Sequence, residues 1–390
     1  MLHLLNTLRL PSLPSRLSLA FISAVSLFSL NTHADSTSSQ KQLSGYDQVW
    51  DSLNLYKDDN GNYFRIAGRV HLDAAYFKAD QGEFDDLTFR RSRLGWKSKY
   101  GKFTTGFEVN LDFNSSADKK YTRITDAYIK WAVTGNTDLK FLKQGIGFTL
   151  DGNTSSKKLK TAQRNNLSNN LWFTKEYYTG VSISGDLTPD LEYKAGMYSS
   201  DSSDEIGFTE ASYFTLMSVD KQFGKNALWD KAEIGFDYVY NDNHVDSSTR
   251  DFSNIISMTS KMHFGEWQVW TDISAGKGDF TGKDDKKQSD VWGAVIMPSY
   301  QISKNLEYVI RYTYIDSKDP NGVRLMKYEN KVIKERGENY HELYTGGSYF
   351  LYSHKLKLQL GVQYTTMDGN ENGKGEYDGW GVTSTLRTYW

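Results

Sequence analysis

The chain has 390 residues, of which 38% are hydrophobic and 14% aromatic, with a formal net charge of −2 and no cysteine. A hydrophobic share below the ~45–50% usual for globular proteins is too low for one large packed core, and the aromatic share is too high for a disordered chain. The lack of cysteine excludes a disulfide framework, and the charge balance gives no reason to expect a nucleic-acid partner.

The N-terminal region has the features of a secretory signal peptide. Arg9 and Arg16 supply positive charge, and an uncharged stretch of fourteen residues follows, too short for a comfortable transmembrane helix. A small-residue cleavage site ends at Ala34. We therefore predict that residues 1–34 are a cleaved signal peptide and that residues 35–62 form a periplasmic lead and turn.

From residue 63 onwards the chain alternates apolar and polar side chains with a period of two. In residues 64–73 the even positions are apolar or small and the odd positions mostly polar, and residues 356–364 repeat the pattern. Successive side chains of a strand point to opposite faces, so each such segment has one apolar face. The pattern predicts strands at 64–77, 87–100, 102–114, 122–133, 138–144, 175–185, 190–199, 212–222, 231–241, 252–264, 266–276, 289–300, 305–316, 340–351, 354–367 and 378–390.

The connections between these strands alternate in length. Those after even strands are mostly short, whereas those after odd strands are long: 78–86, 115–121, 145–174, 200–211, 242–251, 277–288, 317–339 and 368–377. Short turns at one rim and long loops at the other are typical of outer-membrane barrels, and a soluble sandwich has no reason to separate them. We predict an all-β fold, a transmembrane antiparallel β-barrel of about sixteen strands spanning residues 63–390, in the lipid of a Gram-negative outer membrane. The last strand, which ends in Trp390, resembles the assembly signal of bacterial outer-membrane proteins.

The longest connection, residues 145–174, contains groups suited to binding anions. It follows the fifth strand, and by resemblance to sixteen-stranded porins we expect it to fold into the lumen. The alternative is a solvated basic loop on the cell surface. Its charge is +3, from Asp151 against Lys157, Lys158, Lys160 and Arg164, and hydroxyl groups such as that of Ser155 add hydrogen-bond donors.

Basic side chains also occupy the polar faces of the first two predicted strands. Arginine binds phosphate-like anions through two parallel hydrogen bonds and stays charged. Arg90 breaks the alternation, so either the regular strand begins after it or a bulge turns two adjacent arginines inward. The basic positions are Arg65, Arg69, His71, Arg91, Arg93, Lys97 and Lys99, which Arg387 joins when the barrel closes.

A second interpretation of this basic wall remains open. The arginines could neutralise carboxylates on the next strands, namely Glu108, Asp112 and Asp126. Such pairing would leave a weakly selective pore. The two interpretations differ in whether unpaired positive charge remains at the narrowest point.

Several motifs resemble the phosphate-selective porin O/P family in order and spacing. They are Phe89-Arg90-Arg91, the run from Phe107 to Phe113, Asp126-Ala127-Tyr128-Ile129, Thr154-Ser155-Ser156-Lys157 and Gln163-Arg164-Asn165. They cover roughly residues 64–175. The resemblance implies a homotrimeric sixteen-stranded porin that passes phosphate or related anions through an arginine-lined constriction. It also implies that Arg69, Arg90 and Arg91 belong to the basic ladder, with Asp126 and Ser155 near the anion.

Three departures from the family pattern weaken the expectation of phosphate specificity. Gly152 stands where the family has a loop lysine, and Gln163 stands where it has glutamate. The middle of the chain, residues 165–310, contains Arg250 as its only arginine, whereas phosphate-specific members have more. Membership of the family therefore does not carry phosphate specificity with it.

No motif points to an enzyme, a metal or a cofactor, because the seven histidines lack metal-ligand spacing and no nucleophile motif is present. Two classes of function remain. One is a passive porin for small anions such as phosphate, with Lys157, Lys158, Lys160 and Arg164 opposing Arg69, Arg91 and Arg93. The other is a structural or adhesive barrel with a blocked lumen. A barrel of sixteen strands leaves an aqueous channel unless it is plugged, which favours the porin.

Overall fold

A computed structural model describes residues 45–390, except 174, 202–203, 209–210, 243, 245, 282–286, 321 and 370–372. Sixteen strands form a closed antiparallel barrel in which each strand pairs with its neighbours in sequence and the last pairs with the first. The strands are β1 (Tyr63–Ala79), β2 (Gly82–Tyr100), β3 (Phe103–Leu111), β4 (Tyr121–Ala132), β5 (Thr137–Gly145), β6 (Tyr177–Thr188), β7 (Leu191–Ser199), β8 (Tyr213–Phe223), β9 (Lys231–Asn241), β10 (Asn254–Phe264), β11 (Trp267–Lys277), β12 (Val291–Ser303), β13 (Leu306–Ser317), β14 (Tyr340–Tyr352), β15 (Leu356–Met367) and β16 (Tyr377–Tyr389). The predicted barrel of about sixteen strands is confirmed.

The period-two pattern places polar side chains inside the barrel and apolar ones outside. On β15, Lys357 and Gln359 are buried, whereas Leu360 and Val362 are 40% and 44% exposed. Aromatic side chains such as Tyr100 and Trp267 are exposed near the rim with short turns. An outer apolar band with aromatic residues at its borders is the surface that a bilayer requires. Among the described residues, no helix is both long enough and apolar enough to span a membrane.

The first connection is a correction to the sequence prediction. Residues 78–86 were expected to form a long loop, but β1 and β2 extend to Ala79 and Gly82 and leave a two-residue turn. The polar run that suggested a loop lies in exposed strand, where Glu83, Asp85 and Asp86 face solvent. Where a strand is exposed to solvent it needs no apolar face, so the alternation of apolar and polar residues does not mark the end of β1 or the start of β2. The other long and short connections alternate as expected.

The N-terminal part of the described chain is attached to the rim that carries the short turns. Helix α1 (Gly45–Asp51) is followed by a short strand, Asn54–Lys57, that pairs with β1. Trp50 Nε1 donates a hydrogen bond to the carbonyl oxygen of Tyr389, 2.6 Å away, so the lead is fastened to the end of the chain. The predicted signal peptide, residues 1–34, lies outside the described residues, and the periplasmic location of the lead remains a prediction.

Residues 146–176, which we call the lumen segment, contact inward-facing side chains around the barrel. The segment contains helices α2 (Leu150–Asn153) and α3 (Asn166–Leu171). The amide nitrogens of Thr149 and Leu150 donate to Asp237 on β9 and Asp272 on β11, at 2.8 and 2.9 Å. The amide nitrogen of Ala162 donates to the Tyr344 hydroxyl on β14 at 3.2 Å. Since these strands lie on different sides of the barrel, we infer that the segment crosses the lumen.

Residues 318–339, which we call the outer loop, also pack inward. The loop holds the short helix α4 (Glu329–Val332) and a two-stranded ladder between Val323–Arg324 and Arg336–Gly337. A buried apolar cluster joins it to the lumen segment and the barrel wall, with Phe148, Leu167, Leu171 and Phe173 packing beside Phe214, Ile315, Val323 and Leu325. One further short 3-10 helix, Ala117–Lys119, precedes β4.

The close approach of β2 and β3 suggests a test of the barrel wall. Gly95 faces inward opposite Glu108, and a Cβ there would overlap the carbonyl oxygen of Phe107. We expect Gly95→Ala to destabilise the barrel by about 1–3 kcal/mol, as overpacking does. The measurement is the temperature at which the folded band is lost on electrophoresis in sodium dodecyl sulfate. Gly347→Ala is the matched control, because its nearest neighbour would be 3.4 Å away. Equal stability of the two variants would contradict the expected clash.

Candidate functional site: a basic cavity at the rim with the long loops

Arginines of β1 and β2 form a continuous inward-facing wall. In the register, Arg69 lies opposite Arg93, and His71 lies opposite Arg91. Between Arg91 and Phe89 the pairing shifts, which leaves Arg90 in a bulge. The bulge allows Arg90 and Arg91 both to contact inward-facing carboxylates, so the second of the two alternatives for Arg90 is the one observed.

Two carboxylates hold four arginines of this site. Glu108 on β3 accepts from Arg69 at 3.1 Å and from Arg93 at 3.3 Å. Glu176, which immediately precedes β6, accepts from both terminal nitrogens of Arg91 at 2.6 and 2.8 Å. It also lies 3.7 Å from Arg93 and 3.9 Å from Arg164. Each carboxylate can neutralise only one positive charge, so this cluster keeps a net positive charge.

The ionisation of Glu176 follows from its surroundings. Burial alone would raise the pKa of its carboxyl group, but Arg91, with Arg164 and Arg93, holds that pKa well below its usual range. Burial lowers the pKa of Arg164 to about 10, which leaves its guanidinium charged at neutral pH. The guanidinium also stacks on Trp172, 4.5 Å from the ring centre.

The lumen segment meets the arginine wall near the middle of β1. Arg69 donates to the hydroxyl of Ser156 at 3.2 Å, and Arg387 on β16 donates to the carbonyl oxygen of the same serine, also at 3.2 Å. Lys157 places its ammonium group 4.6 Å from the ring centre of Tyr389. Burial, together with Arg69 and Lys97, lowers the pKa of Lys157 to about 7. The charge of this lysine therefore changes within the neutral pH range.

The remaining predicted site residues lie in different places. Ser155 and Lys158 are exposed on the lumen segment, and Ser156 rather than Ser155 contacts the wall. Lys160 is buried and paired with Glu307 on β13, so it does not face Arg69. Asp126 on β4 faces inward, opposite Glu108 in the register. Of the four loop cations that were expected to oppose the wall, Arg164 and Lys157 approach it most directly.

An open cavity of about 460 Å³ lies beside this wall. It is bounded by the arginines of β2, by the outer loop and by the loop between β9 and β10. Among the described lining residues seven are cations and one is a carboxylate: Arg90, Arg91, Arg93, Arg123, Arg250, Arg324 and Lys327 against Glu176, with Asn110, Asn169, Asn330 and Leu325. A smaller adjoining cavity of about 80 Å³ shares Arg90, Arg91, Glu176 and Lys327 with it and adds Arg164.

Sequence patterns missed part of this cavity. Arg123 has the parity of an outward side chain, but β4 shifts register between Ile124 and Asp126, and the irregularity turns Arg123 inward. Arg324 and Lys327 lie outside the barrel strands, where alternation gives no information, and Glu176, which the predicted strand 175–185 included, lies just before β6. Within the described residues, no group of three or more His, Cys, Asp or Glu side chains is arranged to hold a metal ion.

Solved structures of porins share this fold. The outer membrane channel DcaP of Acinetobacter baumannii is 15% identical, with a TM-score of 0.56, and the alignment covers 86% of this chain and 99% of that one. An anion-selective porin from Comamonas acidovorans is 12% identical, with a TM-score of 0.59, covering 84% of this chain and 100% of that one. Salmonella typhi OmpF, in a complex with daunomycin, is 12% identical, with a TM-score of 0.60, covering 86% and 99%.

A comparison with protein families gives a more specific result than the similarity in fold. A comparison with curated proteins found no match. The family model described as phosphate-selective porin O and P matches residues 64–262, just over half of the chain. That range includes the arginines of β1 and β2, the lumen segment and Arg250. The chain therefore belongs to the phosphate-selective porin O and P family.

Proposed function

We propose that this outer-membrane diffusion channel prefers anions, and that phosphate or a related oxyanion is among the solutes it passes. The observation that carries the proposal is the cavity lined by seven cations and one carboxylate. An anion that enters loses part of its water, and fixed guanidinium groups replace it. Coulomb energy is about 4 kcal/mol for unit charges 4 Å apart at an effective dielectric constant of 20. Cations meet the same field as a barrier.

Further support comes from the relatives. The family is named for phosphate-selective porins, and one porin of the same fold is described as anion-selective. The arginine wall and Arg164 are the residues that we assign to this preference, with Lys157 as a nearby contributor. We also propose that the channel is a homotrimer in outer-membrane lipid, as the family resemblance implies.

The ion pairs between the wall arginines and carboxylates favour a second candidate function, that of a weakly selective general porin. Arg69, Arg91 and Arg93 each contact a carboxylate, as the alternative interpretation of the sequence required. The two candidates differ in the net field at the cavity, since paired arginines still outnumber the carboxylates that hold them.

Single-channel recording decides between the candidates. The purified protein in a planar bilayer, under a KCl gradient, is expected to give a reversal potential that favours chloride. Phosphate titrated into the same solution is expected to reduce the chloride current, because it competes for the arginines. A potassium preference would contradict the proposal. Chloride preference without a phosphate effect would support an anion channel that lacks an oxyanion site.

Removing a carboxylate tests whether pairing limits selectivity. Glu176→Gln keeps the shape of the side chain but leaves Arg91 and Arg93 without this negative partner. We expect the chloride-to-potassium permeability ratio to rise several-fold, measured from reversal potentials. Asp190→Asn is the control, because Asp190 is an exposed carboxylate that pairs with Lys221 away from the cavity. An unchanged ratio in the Glu176 variant would place this cluster outside the ion path.

The low pKa of Lys157 predicts a pH effect. A lysine is charged below its pKa, so with a pKa of about 7 the anion preference should be larger at pH 6 than at pH 8. In Lys157→Gln the difference in anion preference between pH 6 and pH 8 is expected to be smaller. Lys158 is an exposed neighbour, so Lys158→Gln is expected to keep the full difference. Reversal potentials at the two pH values provide the measurement. The same pH response in the Lys157 variant and the parent would exclude this lysine as its source.

A further inference from the structure

The outer loop directs one lysine towards the basic cavity. Lys327 is exposed, whereas Leu325 and Met326 before it and Tyr328 and Glu329 after it are buried. Lys327 lines both the larger and the smaller cavity. Because its neighbours are buried on both sides, the backbone of Lys327 is held in place, while its side chain extends into the open cavity.

Three hydrogen bonds hold the residues after Lys327 in place. The hydroxyl of Tyr328 donates to Asp73 on β1 at 2.7 Å. Glu329 accepts hydrogen bonds from Gln363 and Thr365 on β15, both at 2.6 Å. These bonds tie the residues after Lys327 to the wall that also carries Arg90.

The residues before Lys327 are tied to the lumen segment. The amide nitrogen of Arg324 donates to Asn170 at 2.8 Å, and its carbonyl oxygen accepts from Asn166 at 2.8 Å and from Asn170 at 3.0 Å. The outer loop is thus docked on α3 as well as on the wall. Its cations therefore have defined positions relative to the arginines of β2.

Lys327 differs from the wall arginines in its pairing. Arg90 and Arg91 form ion pairs with Asp73 and Glu176. Within the described part of the chain, the ammonium group of Lys327 has no carboxylate within ion-pair distance, and its nearest recorded partner is the ring of Tyr328, at 5.3 Å. Its charge is therefore offset only in part, by the Coulomb attraction of Asp73 beyond ion-pair distance.

We propose that the outer loop is a second specificity-determining element of the anion site, and that Lys327 raises the preference of the channel for divalent over monovalent anions. This inference rests on the proposed anion preference. A cavity of about 460 Å³ allows an anion to keep much of its water, so the lysine acts through the field rather than by direct contact. The Coulomb energy of an anion in that field is proportional to its charge. If the charge of Lys327 multiplies the permeability to chloride by a given factor, it multiplies the permeability to sulfate by roughly the square of that factor.

The chain contains no cysteine, so a single introduced thiol can be modified selectively. In Lys327→Cys the charge is removed. A methanethiosulfonate reagent carrying trimethylammonium restores a positive charge at the same position, and one carrying sulfonate introduces a negative charge. Sulfate-to-chloride permeability ratios are measured under bi-ionic conditions at pH 6.5. Lys327 is protonated there, because partial desolvation inside the cavity and the charge of Arg90 lower its pKa only to about 8.

If the charge contributes about threefold to chloride entry, it contributes about tenfold to sulfate entry, so Lys327→Cys should lower the ratio about threefold. The trimethylammonium reagent should restore the ratio, and the sulfonate reagent should lower it further. Lys334→Cys is the matched control, because Lys334 is an exposed lysine of the same loop that does not line either cavity. Recovery of the folded band on electrophoresis verifies that each variant forms its barrel.

The outcomes separate this inference from the proposal on which it rests. A parent channel that prefers chloride over potassium, with the same sulfate ratio in Lys327→Cys before and after either reagent, would overturn the role of the outer loop alone. A parent channel that prefers potassium would overturn the proposed function and this inference with it. An equal effect of modification at residues 327 and 334 would also overturn the inference, because it would reflect general surface charge.

Discussion

Pairing of β16 with β1 is the constraint on which the rest of the structure depends. Eleven residue pairs, from Gly379 opposite Ala79 to Tyr389 opposite Arg69, join the two ends of the barrel. A closed sheet has no free edge, so every strand finds backbone partners on both sides, as the apolar interior of a bilayer demands. Closure also places Arg387 opposite His71, which extends the basic wall across the seam between the first and last strands.

Within the closed barrel, the buried carboxylates organise the arginines rather than cancel them. Glu108 holds Arg69 and Arg93, and Glu176 holds Arg91 with weaker contacts to Arg93 and Arg164. Four guanidinium groups near two carboxylates leave a net charge of about two positive units. Without these acids, four buried like charges would repel one another and lose their water at high cost. Pairing and selectivity are therefore compatible, because the same contacts that stabilise the arginines also fix where the excess charge lies.

The fold was predictable from the sequence to a greater extent than the site. Alternation reports only which face of a strand is apolar, and it succeeded for the sixteen strands because one face meets lipid. It failed at residues 82–86, where Glu83, Asp85 and Asp86 of β2 are exposed to solvent, and it could not resolve Arg90, whose orientation depends on a bulge. Family motifs added Arg69, Arg90 and Arg91 as expected members of a ladder.

Other parts of the site depend on contacts that no local pattern contains. Lys160 was expected to oppose the arginines of the basic wall, but its partner Glu307 is 147 residues away on β13. The docking of the outer loop depends in the same way on distant residues, namely Asp73, Gln363 and the asparagines of α3. Long-range pairing of this kind is decided by tertiary packing, so the sequence could identify candidate charges but not their partners.

The cavity combines a part shared with the family and a part outside it. The match to the phosphate-selective porin family covers residues 64–262, which supply the β2 arginines, Arg123, Glu176 and Arg250. Arg324 and Lys327, on the opposite boundary, lie outside that range. A loop can change its sequence without disturbing the hydrogen bonds of the barrel, provided that its anchors are kept. In the function that we propose, the wall fixes the sign of the charge that the channel favours, and the outer loop is the element through which the preference among anions can be adjusted.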